Sequence, residues 1–406
     1  MIKRILKSYD YTLILAVLLL CGFGLVMIYS SSMITAVVRW GYEPDHFFEK
    51  QKLALSLGAI VFIAMMIFPY RALLDNRLLK VIVLGSVALL GSLFFIGHVA
   101  GNAQSWIKFG GASIQPGEFV KLSVIIYLAA IYEKKQSYVN QFGRGVLPPI
   151  IFTGFICTFV LVQPDFGTAL IIGLIALCMI LCSGIKIINM VKIGVLGIVF
   201  MILFSPVLIW KADEIFSPTR INRLVGFADP FANQDLQGWQ LVNSFYAIGS
   251  GGLTGLGLGQ SVQKYGYLPE SHTDFIMAII SEELGVFGVL FVLALLSFII
   301  LKGFAIARKC TDPFGSLLAV GISSMIAIQA MINLGGVTGL IPITGVTLPF
   351  VSYGGSSMIL LLLSMGILVN VSMFTKYREM NDQKEKKVKG QPLAGGKTFF
   401  VKNDNV

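Results

Sequence analysis

The chain has 406 residues, of which 56% are hydrophobic and only 13% are charged. Soluble domains carry roughly a quarter charged residues, so this composition excludes an ordinary soluble enzyme and indicates a chain that resides in lipid. The formal net charge of +10 is scattered over short loops and a tail instead of forming a basic stripe with aromatic residues, so we expect no nucleic-acid partner.

Apolar segments of about 20 residues, the length that crosses a bilayer as a helix, recur along the chain. They predict an all-α, polytopic integral membrane protein of about ten transmembrane helices. We place these helices near residues 11–31, 52–69, 79–98, 116–133, 146–163, 166–184, 191–210, 275–301, 314–335 and 350–374. The chain then comprises a cytoplasmic tail (1–10), a membrane domain (11–375) with one large extracellular loop (212–274), and a flexible cytoplasmic tail (376–406).

The orientation follows from the basic residues. Ten spans put both termini on one side of the membrane, and that side carries 22 of the 31 Lys and Arg residues while the other carries nine. Because basic loops remain in the cytoplasm, both termini are expected to be cytoplasmic. The connections 99–115, 212–274 and 335–349 are then expected on the outer side.

The fourth predicted span begins with two charged residues, Glu118 and Lys121. They are three positions apart, so on a helix they share a face and can neutralise each other. The pair could hold helices together, or it could face a cavity and contact a polar or anionic substrate; both readings remain open. Trp106 and Lys108 lie just before this span, where Trp106 suits a membrane interface and Lys108 could attract phosphate.

Two aspartates lie at helix starts. Asp165 occupies a tight turn between the fifth and sixth spans, and Asp274 ends the long loop directly before the eighth. Either could cap the following helix. Alternatively, Asp165 is an acid at a cavity mouth and Asp274 a general base, since a helix N-terminus keeps a carboxylate ionised.

Two features of the loop and the eighth span remain. Glu282 and Glu283 lie inside the eighth span, where lipid penalises charge, and they indicate a polar cavity or paired helices. The glycine-rich stretch 249–259 has no phosphate-loop lysine and no preceding strand, so we expect flexible re-entrant or interfacial backbone.

Four motifs in order resemble those of one bacterial family. They are QPGEFVK at 115–121, QPDFGTA at 163–169, YLPESHTDF at 267–275 and NLGGVTGLIPITGVTLPFVSYGGSS at 333–357. The chain looks like a member of the SEDS family (shape, elongation, division and sporulation proteins), over nearly all ten spans. The amino-acid sequence of residues 257–276 resembles the cell-division branch of the family, the FtsW type, more than the elongation branch, the RodA type. A sporulation paralogue stays open.

The resemblance implies a peptidoglycan glycosyltransferase that polymerises lipid II on the outer face of the cytoplasmic membrane, for septal wall synthesis. It implies a class B penicillin-binding protein and other division proteins as partners. Asp274 would be the catalytic carboxylate. The substrate-binding residues would be Trp106, Lys108, Glu118, Lys121 and Asp165, and we add Arg220 and Arg223 as a guess for substrate phosphate. A divalent cation, Mg or Mn, could assist, with ligands that the sequence does not identify.

The alternative to an enzyme is a transporter, a lipid II flippase, because ten spans with intramembrane charges also suit a transporter. A flippase needs a polar path that reaches both faces, whereas the polar motifs here cluster at one end, which favours surface chemistry. The same polymerase chemistry could also serve sporulation or elongation. A scaffold without activity is disfavoured by the costly buried charges.

Overall fold

Helices make up almost all of the structure, a computed structural model that describes residues 2–100, 103–109, 112–210, 218–236 and 238–388. In that part of the chain we number thirteen α-helices. They are α1 (Ile2–Ser8), α2 (Tyr11–Trp40), α3 (His46–Ile67), α4 (Asn76–Ile96), α5 (Pro116–Lys134), α6 (Leu147–Val162), α7 (Phe166–Cys182), α8 (Ile187–Trp210), α9 (Pro218–Ala228), α10 (Trp239–Gly251), α11 (Ile276–Lys309), α12 (Pro313–Val337) and α13 (Gly355–Val388).

Ten of these helices, α2 to α8 and α11 to α13, coincide with the ten predicted spans. Seven are long and apolar enough to cross a bilayer. Helix α7 and the described side-chain portion of α8 are apolar but shorter, and α5 carries charges at both ends. The prediction of an all-α, multi-pass membrane protein is therefore confirmed.

Helices α12 and α13 form the centre of the bundle. Of their apolar windows 78% is buried, against 22% for α3 and α4, which leave most of their apolar surface to lipid. Close approach between the central helices depends on small residues, as is usual in membranes. A methyl group on Gly303 of α11, for example, would overlap the hydroxyl of Ser323 in α12.

The 99–115 connection, expected only as a loop, contains a small antiparallel sheet. Its strands are β1 (His98–Ala100), β2 (Ala103–Phe109) and β3 (Ala112–Ile114), in the order β1-β2-β3. Ile107 pairs with Ile114, and Lys108 pairs with Ser113. The backbone N–H of Gln115 then donates to Ser356 Oγ at 3.2 Å, so the sheet is joined to the start of α13 directly before α5 begins.

The 212–274 loop is more structured than the sequence suggested, since it contains α9 and α10. Its glycine-rich stretch 249–259 packs backbone to backbone on α11, where Gly285 takes a positive φ of 63° and interrupts the helix. The N–H groups of Leu256 and Gly257 donate to the carbonyls of Glu282 and Glu283, both at 2.9 Å. This close packing was not predicted, because glycine spacing alone does not distinguish a loose chain from one that must approach another backbone closely.

A substitution at Gly255 tests this packing. A methyl there would overlap the Glu283 carbonyl, and the φ of +77° disfavours any side chain. Gly255→Ala should therefore lower the free energy of unfolding by about 3 kcal/mol. Thermal unfolding in detergent, followed by tryptophan fluorescence, measures the effect.

Gly249→Ala is the matched control, because a methyl at that position of α10 meets no atom within 4 Å. Alanine also favours the helix, so this variant should unfold at or slightly above the parental temperature. Equal melting temperatures for the two variants would contradict the proposed backbone contact.

Candidate functional site

Asp274 lies at the end of the long loop, one residue before Phe275, the N-cap residue of α11. Two hydroxyl groups anchor the residues before it: Ser271 Oγ donates to the carbonyl of Ser31 in α2, and Thr273 Oγ1 donates to Glu270. The segment that carries Asp274 is thus fixed by contacts outside α11.

Asn333 of α12 holds the backbone around Asp274. Its side-chain Nδ2 donates to the carbonyl of Asp274 and to that of Val346, both at 2.7 Å. One buried amide therefore joins the end of the loop to the 343–346 segment. Two simultaneous hydrogen bonds restrict both segments, so the position of Asp274 is defined by the scaffold and not by the loop alone.

A narrow cleft surrounds Asp274. Its walls come from the end of α12, including Gly336 and Val337, and from the 343–346 segment. Gly345 takes a φ of +77°, and a Cβ there would lie 3.5 Å from Oδ2 of Asp274. The glycine therefore leaves room beside the carboxylate that any other residue would reduce.

Asp165 precedes α7, the start of which contacts the same 343–346 segment. It caps α7, accepting from the backbone N–H of Thr168 at 3.0 Å and from its hydroxyl at 2.9 Å. The neighbouring Gly167 packs on this segment, since a Cβ there would be 3.4 Å from the carbonyl of Thr344. The capping reading of Asp165 is confirmed, and the cap also places this acid near the Asp274 cleft.

Glu118 and Lys121 form the ion pair that their spacing predicted, with 2.7 Å between Nζ and Oε1. Lys121 is only 2% exposed, so the pair is shielded from water. The adjoining Gly117 contacts Thr168, where its Cβ would be 2.9 Å from a methyl group. The start of α5 therefore packs on the start of α7, and the structure brings Glu118, Lys121, Asp165 and Asp274 to one end of the bundle.

The remaining predicted site residues are described in part. Trp106 is half-buried on β2, opposite His98 of β1. The side chains of Lys108, Arg220 and Arg223 lie outside the part of the structure that is described. Their roles stay predictions.

His272, two residues before Asp274, was not singled out from the sequence. Its ring lies 4.4 Å from that of Phe47 and 5.6 Å from that of Tyr353, centroid to centroid. The N–H of Tyr353 donates to the His272 carbonyl, and Ser352 Oγ donates to the carbonyl of Thr273. Burial lowers the pKa of His272 to about 4, so the ring is neutral at pH 7.

Lys264 explains the two carboxylates inside α11. Its Nζ lies 2.7 Å from Glu283, and Ser30 of α2 donates to both oxygens of that carboxylate. Glu282 accepts from the hydroxyl of Ser261 and from the N–H of Val262. The sequence predicted a polar cavity or paired helices around Glu282 and Glu283, but it did not identify Lys264, a residue of the long loop that is fully buried, as the partner of Glu283. The need of a buried carboxylate for a cation was the signal that could have identified it.

Metal ligation was left open by the sequence. Among the described residues, no three His, Cys, Asp or Glu side chains are grouped in a way that could hold a metal ion. The divalent cation therefore stays a prediction, and its ligands stay unassigned.

Comparisons with known proteins agree in family and fold. The family model described as a cell cycle protein, FtsW/RodA/SpoVE, matches residues 11–377. A "Probable peptidoglycan glycosyltransferase FtsW" of Bacillus subtilis is 63% identical over 95% of this chain and 96% of its own. The "Stage V sporulation protein E" of the same organism is 40% identical over 91% of this chain and 98% of its own. A chain from a peptidoglycan synthase complex that coordinates polymerization and crosslinking has the same fold, with a TM-score of 0.70 at 24% identity, covering 90% of this chain and 98% of that one.

Removing Lys264 should destabilise the protein strongly. Lys264→Met leaves the Glu283 carboxylate buried without its cation, which should cost about 3–5 kcal/mol of unfolding free energy. Combining it with Glu283→Gln should restore part of the loss, because the uncompensated charge is then absent. Thermal unfolding of the single and double variants measures both effects.

Lys52→Met provides the control, since Lys52 pairs with Glu49 at 2.9 Å but both side chains are more than half exposed. Such surface pairs contribute about 0–1 kcal/mol. A loss at Lys264 no larger than that at Lys52 would argue that the buried pair does not stabilise the fold.

The low pKa of His272 predicts a pH dependence of stability. The folded protein binds the imidazole proton more weakly than the unfolded chain, so this contribution is complete above pH 6.5 and is lost as the pH falls towards 4. Between pH 7.5 and pH 5 the loss should be about 2 kcal/mol. His272→Gln, which stays neutral, should show a clearly smaller change, whereas His46→Gln should stay closer to the parent, because burial lowers the pKa of this less buried histidine in the same direction but to a smaller extent. Melting temperatures at the two pH values measure this, and equal slopes for all three proteins would refute it.

Proposed function

Because the chain belongs to the FtsW/RodA/SpoVE family of cell cycle proteins, we propose that it is a peptidoglycan glycosyltransferase that polymerises lipid II for septal wall synthesis. The observation that carries this proposal is the 63% identity, over 95% of the chain, with a relative named for that activity. The geometry supports it, since an aspartate is held in a cleft at one end of the bundle, close to other polar side chains.

In the proposed reaction, the 4-hydroxyl of the acceptor sugar attacks the anomeric carbon of the donor strand. A new C–O bond forms, the bond to the pyrophosphate breaks, and the hydroxyl proton moves to the carboxylate of Asp274. Asn333 would keep that carboxylate in place through its bond to the Asp274 carbonyl. The space beside Gly345 would admit the reacting hydroxyl.

The other site residues would bind substrate around this point. We propose that Trp106, Lys108 and Asp165 line the substrate path, with Glu118 and Lys121 as a pair that the substrate contacts. Lys121 is neutralised by Glu118, so the leaving pyrophosphate would rely more on Lys108, Arg220 and Arg223. A Mg or Mn ion would offset charge on the pyrophosphate if it is bound.

The proposal also covers the orientation of the protein in the membrane, its location in the cell and its protein partners. The excess of Lys and Arg on the side of the termini supports cytoplasmic termini and a reaction on the outer face. We propose the septum as its site, and a class B penicillin-binding protein with other division proteins as its partners. The solved complex of similar fold supports a partner of the crosslinking kind.

Reconstitution with the cognate transpeptidase and labelled lipid II tests the proposed activity. The parent should produce glycan strands, and Asp274→Asn should reduce their formation by about 10²–10⁴-fold, the usual contribution of a general base. Strand length and amount are read on gels after the reaction.

Asp45→Asn is the matched control, because Asp45 is an exposed aspartate that precedes α3 and makes no side-chain cap bond. It should polymerise as the parent does. Full activity in Asp274→Asn would refute the base assignment. Flipping of lipid II across liposomes without strand formation would instead identify a flippase.

A further inference from the structure

A second cleft, separate from that of Asp274, lies between α10 and the 262–267 segment. Its volume is about 370 Å³, within the range of small-ligand sites. We call it the aromatic cleft and define it by its described lining residues. These are three aromatic residues (Trp239, Tyr246 and Tyr267) and others that include Gln234, Asp235, Asn243 and Gln263.

The aromatic cleft is built on one face of α10. Trp239, Asn243 and Tyr246 recur at helical spacing, so they project on the same side. On the other side of the helix, Ser244 Oγ donates to the carbonyl of Val337 at 2.9 Å. Since Val337 also lines the Asp274 cleft, α10 and the end of α12 connect the two clefts.

The opposite wall of the aromatic cleft is rigid. Glu282 accepts from the backbone N–H of Val262 at 2.9 Å, and Lys264, in the same segment, is buried against Glu283. This segment runs on to Asp274 within ten residues. The two clefts therefore have a fixed relation, which a binding site for a polymer requires.

The chemistry of the lining suits sugar rings. Trp239, Tyr246 and Tyr267 are 37%, 52% and 49% exposed, so their rings are free to stack on the apolar C–H faces of a sugar. Gln234, Asn243 and Gln263 carry primary amides, each both donor and acceptor, which match the acetamido group of an N-acetylated sugar. The charged side chain among the described lining residues is Asp235, so the cleft disfavours pyrophosphate.

One buried acceptor atom of the cleft wall, in the side chain of Gln263, lacks a hydrogen-bond donor among the described residues. This atom is the side-chain Oε1. A buried polar atom without a partner is costly, and because Gln263 lines the aromatic cleft, a turn of its amide towards the cleft would let a ligand hydroxyl or acetamido N–H donate to it. Membrane-interface aromatics, the simpler explanation of the rings, would not account for this acceptor or for the amides around it.

We propose that the aromatic cleft binds N-acetylated sugar rings of the glycan strand at a distance from the reacting bond. The proposal rests on the polymerase function above, which supplies the strand. Such a subsite would retain a strand between successive additions, so that its loss shortens the product.

Chitotetraose, a soluble chain of four β-linked N-acetylglucosamines, is the probe. Binding to the full-length protein in nanodiscs is measured by calorimetry, for the parent, Trp239→Ala, Tyr246→Ala and Asp274→Ala. We expect the two aromatic variants to bind about tenfold more weakly, as the loss of one stacking contact implies, and Asp274→Ala to bind as the parent does. In the lipid II assay the aromatic variants should produce shorter strands.

Trp40→Ala is the matched control, since Trp40 is an exposed tryptophan (51%) at the end of α2 and does not line the cleft. Melting temperatures near the parental value establish that Trp239→Ala and Tyr246→Ala are folded, and Tyr246→Phe should retain binding through its ring. Chitotetraose binding that is absent from the parent, or equal in Trp239→Ala and Trp40→Ala, would overturn the proposal.

Two further outcomes separate the hypotheses. If Trp239→Ala loses the transpeptidase on co-purification while chitotetraose binding is unchanged, the cleft is a protein-docking surface and the proposal fails. If the parent binds chitotetraose, and Trp239→Ala binds it weakly, but no strands form from lipid II, the cleft stands and the proposed polymerase function fails.

Discussion

A carboxylate inside a membrane protein is stable only when a cation or several hydrogen-bond donors surround it, and α11 carries two in succession. Lys264 and Ser30 satisfy Glu283, while Ser261 and the backbone of 262–263 satisfy Glu282. These contacts join the long loop to α2 and α11. The rest of this end of the bundle depends on them, because the same segment forms one wall of the aromatic cleft and leads to Asp274.

The position of Asp274 follows from this anchoring together with contacts from the other end of the chain. Asn333 holds the Asp274 carbonyl, and Ser352 and Tyr353 hold the two residues before it. A residue at the end of a long loop would ordinarily be mobile. Here the loop ends are constrained by α12 and by the turn before α13, so a loop residue gains the precision of a scaffold residue.

Periodicity and charge predicted the ten spans well, since a bilayer imposes a length and a composition that a sequence displays directly. The Glu118–Lys121 pair and the Asp165 cap also followed from local spacing. The sequence did not predict the partner of Glu283, because Lys264 lies 19 residues away and meets it only through the fold. The sheet in 98–114 was missed for another reason: β1 and β3 have only three residues each, too few to display a strand pattern in the sequence. The aromatic cleft likewise needs α10 and the 262–267 segment to be adjacent in space.

Beside these side-chain contacts, the joint between the loop and α11 has a main-chain part, in which Gly251, Gly255 and Gly285 permit the close approach. Main-chain hydrogen bonds do not require particular side chains, apart from the glycines that permit the close approach. The exposed residues of the loop are thus free to diverge during evolution without displacing Asp274. The architecture therefore separates a fixed position, that of Asp274, from a loop surface whose side chains can change without moving it.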